Sequence, residues 1–120
     1  MARLGKQYKD GEIIVRQGDT GNCMYVIQKG EVEVIAETEN REVLLRTLGP
    51  NDFFGEMALF EEAMRTATIR SKGESRILTI DKKSFMGGIY EDPSLAFRIV
   101  ETMSHRIRDL TDRLAKYEEN

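Results

Sequence analysis

From Gly11 to Ile80 short apolar runs alternate with polar punctuation: EIIV, GDTGN, MYVIQ, KG, EVEVIAE, TENR, EVLLRTL and GPND follow one another at close intervals. Runs rich in β-branched residues, bounded by Gly, Asn, Asp and Pro, predict strands joined by tight connections, the signature of an antiparallel barrel or sandwich. Within EVEVIAE, Val32, Val34 and Ala36 alternate with Glu31, Glu33 and Glu37, giving one buried and one wet face, although Ile35 interrupts the alternation. TATIRS and RILTI, on either side of a KGES turn, predict two further strands, so the barrel resumes after an interruption. That interruption, GEMALFEEAMR, predicts a short apolar helix and a loop, where simple closure would need only a turn of about two to five residues. The plain reading is a helical insertion that plugs one end of the barrel.

From Asp92 onward the pattern changes. DPSLAFRIVETMSHRIRDLTDRLAKYEEN has no glycine, its one proline lies near the start, and helix formers dominate, which predicts one long helix. Val100, Met103, Ile107, Leu110, Leu114 and Tyr117 recur at spacings of 3, 4, 3, 4 and 3, an a/d seam with charged residues filling much of the rest. A helix that packs on its own barrel usually shows a wider apolar face than a strict seam, so self-association into a homodimer is favoured over intrachain packing. The boundaries read as a barrel over about 8–81 and C-terminal helices over about 82–118 in a single domain of 1–120.

Composition narrows the function. At 120 residues the chain can build a core without disulfide or metal support. With 18 basic and 21 acidic residues the net charge is -3, so no global field draws it to nucleic acid or an anionic membrane, and an anion would have to be caught locally. MARLGKQYKDGE lacks the apolar run of a secretory signal, and no segment approaches the roughly 18 apolar residues of a membrane span, so a cytoplasmic location is expected. Cys23, the single cysteine, reads as a small core residue, and His105, the single histidine, as a solvated residue of a helix face. One histidine removes three-histidine metal sites and disfavours Ser-His-Asp chemistry.

The stretch FFGEMALFEEAMRTATI holds the chemistry. Glu56 is flanked by Phe54, Met57 and Leu59, and Arg65 by Met64 and the run Thr66 to Ile69. Burying either charge unpaired would cost several kcal/mol, so something must meet them. The start of a helix offers backbone N–H groups to an anion, Gly55 permits close approach, and Arg65 can add a charge-assisted bond. Glu56 only accepts hydrogen bonds and would repel a phosphate, but it suits a sugar hydroxyl. A ligand with a phosphate joined to a sugar answers this set, and a structural Glu56 to Arg65 ion pair is the alternative these residues leave open.

FGEMALFEEAMRTATI resembles the phosphate-binding cassette of cyclic-nucleotide-binding domains, with its F-G-E-[LIM]-A-L, variable loop and R-[ST]-A. DGEIIVRQGDTGNCMYVIQKGEVEV, with Gly18, Gly21 and Gly30, is similar to the first strands of that family, and GPNDFFGE to the approach to the cassette. The likeness runs from about Gly11 to Leu114 and implies a double-stranded β-helix, or jelly-roll, barrel with an inserted phosphate-binding helix and a long C-terminal helix. It implies that Gly55 and the amides of Met57 and Ala58, next to Phe54, form the anion pocket. Glu56 would accept from the ribose 2'-OH, Arg65 would pair with the cyclic phosphate, and the Thr66 hydroxyl and Ala67 amide would add hydrogen bonds. Leu110 and Thr111 of the C-terminal helix, with Arg108 nearby, would approach the base. Met64 stands where many members have proline, which frees the loop before ligand arrives. Bacterial catabolite activator proteins look most like this chain. Their DNA-binding helix-turn-helix follows the long helix, whereas this chain ends at Asn120, so no nucleic-acid partner is expected of it.

The resemblance implies a non-enzymatic sensor of cyclic AMP, with cyclic GMP as the alternative, since Thr66 follows the arginine as threonine does in members selective for cyclic GMP. Two further classes compete. A cupin-like enzyme would carry strand histidines for a metal, and the one histidine lies in the terminal helix. A degenerate domain serving only dimerisation would have lost Glu56 or Arg65, and both are present. Whether the chain is whole or an excised regulatory module, and what it regulates, the sequence leaves open.

Overall fold

The computed structural model describes residues 5–61 and 63–119. Glu62, read from sequence as a loop residue, lies outside them. Eight strands come first: β1 (Lys6–Tyr8), β2 (Ile13–Val15), β3 (Thr20–Gly21), β4 (Cys23–Glu37), β5 (Glu42–Leu48), β6 (Phe53–Phe54), β7 (Ala63–Met64) and β8 (Thr68–Asp81). A 3-10 helix, Glu56–Leu59, lies between β6 and β7, and two α-helices follow the strands, α1 (Lys82–Glu91) and α2 (Ser94–Glu119). This is the jelly-roll-like architecture expected. All strand pairs are antiparallel. The main sheet runs β1-β8-β4-β5, with β2 also on β8 and β6 on β4, while β3 and β7 form a separate ribbon; among the described residues the main sheet is not closed.

Two predicted turns prove to be kinks inside continuous strands. KG does not separate two strands but bends β4, and KGES likewise lies within β8. The two strands pair along their length, and the register shifts on either side of Lys29, which faces Arg76, while Glu31 faces Lys72. Gly30 and Gly73 supply the positive φ that the bend requires, at 85° and 72°. The interruption at Ile35 has the same kind of cause. A register shift between Val34 and Ile35 turns both side chains inward, to 9% and 2% exposure, so the extra apolar residue is an inward-facing bulge position.

The core of the first unit, Met1–Lys82, gathers Tyr8, Val15, Ile27, Val32, Val34, Phe54, Ile69 and Ile77. Tyr25 and Ala67 pack half-buried against it. Phe54 reaches this core because β6 is fixed at both ends of a tight turn: Asn51 adopts φ 75°, Gly49 N–H donates to Asp52 Oδ2 at 2.8 Å, and Ile27 N–H donates to the Asp52 carbonyl at 2.9 Å. The second unit, Lys83–Asn120, holds most of α1 and all of α2. The predicted long helix therefore starts at Ser94, where Asp92 Oδ1 accepts from the Ser94 N–H at 3.1 Å and from its hydroxyl at 2.6 Å. On α2, Val100, Ile107, Leu110, Leu114 and Tyr117 of the seam are exposed and Met103 is half-buried, and His105 is exposed as expected. No described helix is long and apolar enough to cross a membrane.

Candidate functional site

Three segments of the first unit converge on Arg65. The first is the end of β3 and the start of β4, which bring Gly21, Cys23 and Tyr25. Cys23, expected in the core, is instead half-buried at the head of β4, and its contribution here is its carbonyl. The second is β6 and the turn after it. Tyr25 is the direct cross-strand partner of Phe54, and the two rings stack with centroids 5.0 Å apart and planes 14° from parallel. Phe54 thus ties Tyr25 to the core, and Gly55 follows it at once. The third is β7, whose Met64 pairs with Thr20 of β3. The main chain of Arg65 continues that ribbon: its N–H donates to the Asp19 carbonyl at 2.7 Å and its carbonyl accepts from Gly18 N–H at 2.9 Å.

The side chain of Arg65 has partners of its own. Nη2 donates to the Cys23 carbonyl at 2.8 Å, Nη1 donates to the Gly55 carbonyl at 3.2 Å, and Cζ lies 5.6 Å from the centroid of the Tyr25 ring. All three are neutral partners. They orient the planar fork without cancelling its charge, and the guanidinium has five N–H donors in all, more than two carbonyls consume. Gly55 is required here for its conformation, φ 77° and ψ 13° in the left-handed region at the start of the 3-10 helix. A Cβ at Gly55 would also stand 2.7 Å from Arg65 Nη1.

The rest of the expected set divides by position. Phe54, Glu56 and Ala58 are buried, at 6%, 6% and 8% exposure. Met57 and Thr66 are exposed, and Ala67 is half-buried ahead of β8. The Ala58 N–H donates to the Gly55 carbonyl at 3.2 Å, so this carbonyl takes bonds from both Ala58 and Arg65. The insertion predicted as a helix is thus a single 3-10 turn whose acidic residue points inward. Arg108, Leu110 and Thr111 are exposed residues of α2 in the second unit. Among the described residues no group of three or more His, Cys, Asp or Glu side chains could hold a metal.

Sequence reasoning missed Gly21, Tyr25 and the Cys23 carbonyl as parts of this site. A main-chain carbonyl leaves no trace in residue type, and Tyr25 reads as one more apolar position of a strand. The only available signal was the glycine pair in GDTG, which a turn explains equally well.

The family model described as "Cyclic nucleotide-binding domain" matches residues 5–90, most of the chain. The chain belongs to that family. It is 43% identical over 79 residues to the cAMP-dependent protein kinase regulatory subunit of Blastocladiella emersonii, an alignment covering 65% of this chain and 20% of that protein. It is also 43% identical over 83 residues to the cGMP-dependent protein kinase egl-4 of Caenorhabditis elegans, covering 65% of this chain and 10% of the kinase. Among solved structures, the Catabolite Activator Protein of Thermus thermophilus superposes with a TM-score of 0.81 at 27% identity, over 91% of this chain and 52% of that one. The chain therefore spans only a fraction of the length of these relatives, and what it shares with them is the regulatory cyclic-nucleotide-binding module.

Proposed function

We propose that this module is a non-enzymatic, cytoplasmic cyclic AMP sensor that transmits occupancy through its C-terminal helix. The observation that carries the reading is the Arg65 seat. A full positive charge is fixed between two carbonyl oxygens and an aromatic face, neutral groups that aim it and leave its charge to be matched by an anion. A structural ion pair would instead spend the guanidinium fork on a carboxylate. Glu56, buried beside Gly55, suits the ribose hydroxyl of such a ligand and not its phosphate. Gly55, Met57 and Ala58 would line the anion, Thr66 and Ala67 would add hydrogen bonds, and Arg108, Leu110 and Thr111 would serve the base, these last on the resemblance alone.

Cyclic AMP is favoured by the likeness to the catabolite activator protein and the cAMP-dependent kinase subunit. The second reading, a cyclic GMP sensor, draws on Thr66, an exposed residue that carries a hydroxyl, and on the equal identity to the cGMP-dependent kinase. Competition binding decides between them. Cyclic AMP is expected to win, and a tenfold preference for cyclic GMP, about 1.4 kcal/mol, would reverse the assignment.

A further inference from the structure

The glycine at position 21 lies one residue into the β3–β7 ribbon, opposite Ala63. Its backbone is not in the left-handed region, since the positive-φ glycines are 11, 18, 30, 55 and 73, so a side chain there meets no conformational objection. The objection is one of space. A Cβ at Gly21 would fall inside contact distance of Arg65 Nη2, Cζ and Nε, three atoms of the guanidinium. No strand or core atom is nearer; the seat of Arg65 is bounded on that side by the missing side chain.

We propose that Gly21 is a positioning residue for the anion site: its bare Cα leaves the space in which the Arg65 guanidinium lies against the Cys23 and Gly55 carbonyls and the Tyr25 ring. A guanidinium is the far end of a flexible side chain, so an added methyl displaces it at little cost to the fold. Arg65 would leave both carbonyls and the ring while β3, β7 and the core remain. Gly21 therefore differs from Gly55, where a left-handed backbone makes any substitution a structural change as well.

The inference deepens the cyclic-nucleotide reading, on which only its ligand arm rests. The seat itself is observed without ligand, through the 15N-resolved Nε–Hε resonance of Arg65, assigned by its loss in Arg65→Lys. In the wild type this resonance is expected to be displaced by the Tyr25 ring and protected from exchange. In Gly21→Ala it is expected to move to the position of a solvated arginine, with the thermal midpoint nearly unchanged. An unmoved, still protected resonance in Gly21→Ala overturns the proposal, and this holds whatever the ligand. In the ligand arm, Gly21→Ala is expected to weaken cyclic AMP binding by about tenfold, and by less than about twofold when introduced into Arg65→Ala, because the two changes remove the same interaction. An equal loss in both backgrounds would show that Gly21 acts apart from Arg65 and would also overturn it. A wild type that binds no cyclic nucleotide defeats the functional reading alone, and the resonance still decides the seat.

Discussion

Arg65 and the apolar stripe of α2 are two places where side chains are set apart from the core of this chain, and the chain treats them differently. Around Arg65 the chain supplies orientation: two carbonyls, a stacked pair of aromatic rings and a main chain bonded to Gly18 and Asp19. The guanidinium contacts described there, two carbonyl oxygens and an aromatic ring, are all neutral. Along α2 the chain supplies spacing, but Val100, Ile107, Leu110, Leu114 and Tyr117 are between 60% and 80% exposed. What that apolar region lacks is cover, and each square ångström removed from water would contribute about 25 cal/mol. On the function proposed above, the first region selects a small anion and the second gains from a surface of matching period.

The largest effect is expected at the seam. Ile107→Glu combined with Leu114→Glu would place carboxylates against their symmetry mates in a parallel pairing of helices, at several kcal/mol for each buried, unpaired charge. Sedimentation at tens of micromolar is expected to show a dimeric wild type and a monomeric variant, both with an intact strand region by circular dichroism. A monomeric wild type would remove the seam from the comparison.

Next comes the seat. Arg65→Ala is expected to weaken cyclic AMP by about 2–5 kcal/mol, the usual loss when one side of a buried charge pair is truncated, and Arg65→Lys to recover part of it because a point charge cannot use the same fork. Titration calorimetry measures both. Undiminished affinity in Arg65→Ala would mean that the seat is structural.

The two regions also differ in how far they are legible in the sequence. The stripe of α2 was legible as a helical period, because a 3.5-residue repeat is written along one segment and needs no partner to be seen. Glu56 and Arg65 were legible as charges in apolar company, and the cassette as a spaced motif. The seat was not, since Gly21, Cys23, Tyr25 and Gly55 meet Arg65 only when β3 is in register with β7 and β4 with β6. The kinks at Gly30 and Gly73 were misjudged for a related reason: glycine beside lysine marks a turn or a bulge equally well, and only the pairing of β4 with β8 chooses between them. Local periods are visible in sequence, whereas contacts across strands become visible only with the register.

A smaller effect sharpens the role of Glu56. If its carboxylate accepts from the ribose, Glu56→Gln should reduce the preference for cyclic AMP over its 2'-deoxy analogue by about 1–3 kcal/mol, the range for a hydrogen bond to a charged group. A cycle of protein variant against ligand variant isolates that term. If it is zero and only the melting temperature falls, the buried glutamate serves the fold and not the ligand.

The smallest effect lies at the start of α2, where one contact is complete within the chain. The hydroxyl of Ser94, then its N–H, hold the Asp92 carboxyl below its ordinary value of 3.8. A carboxylate whose folded pKa is depressed contributes stability that is present above the ordinary value and is lost as pH falls through the lower folded one. Asp92 is fully exposed, so solvent screening keeps the contribution small. Thermal melts of wild type and Asp92→Ala, followed by helical ellipticity, are expected to differ slightly at neutral pH, with the wild type higher, and to converge below the depressed pKa once Asp92 is protonated. The Ile107→Glu, Leu114→Glu background should show the same small difference, because this contact needs no second copy of the chain. A difference that persists unchanged in acid would show that Asp92 opens the helix through its shape and not through its charge.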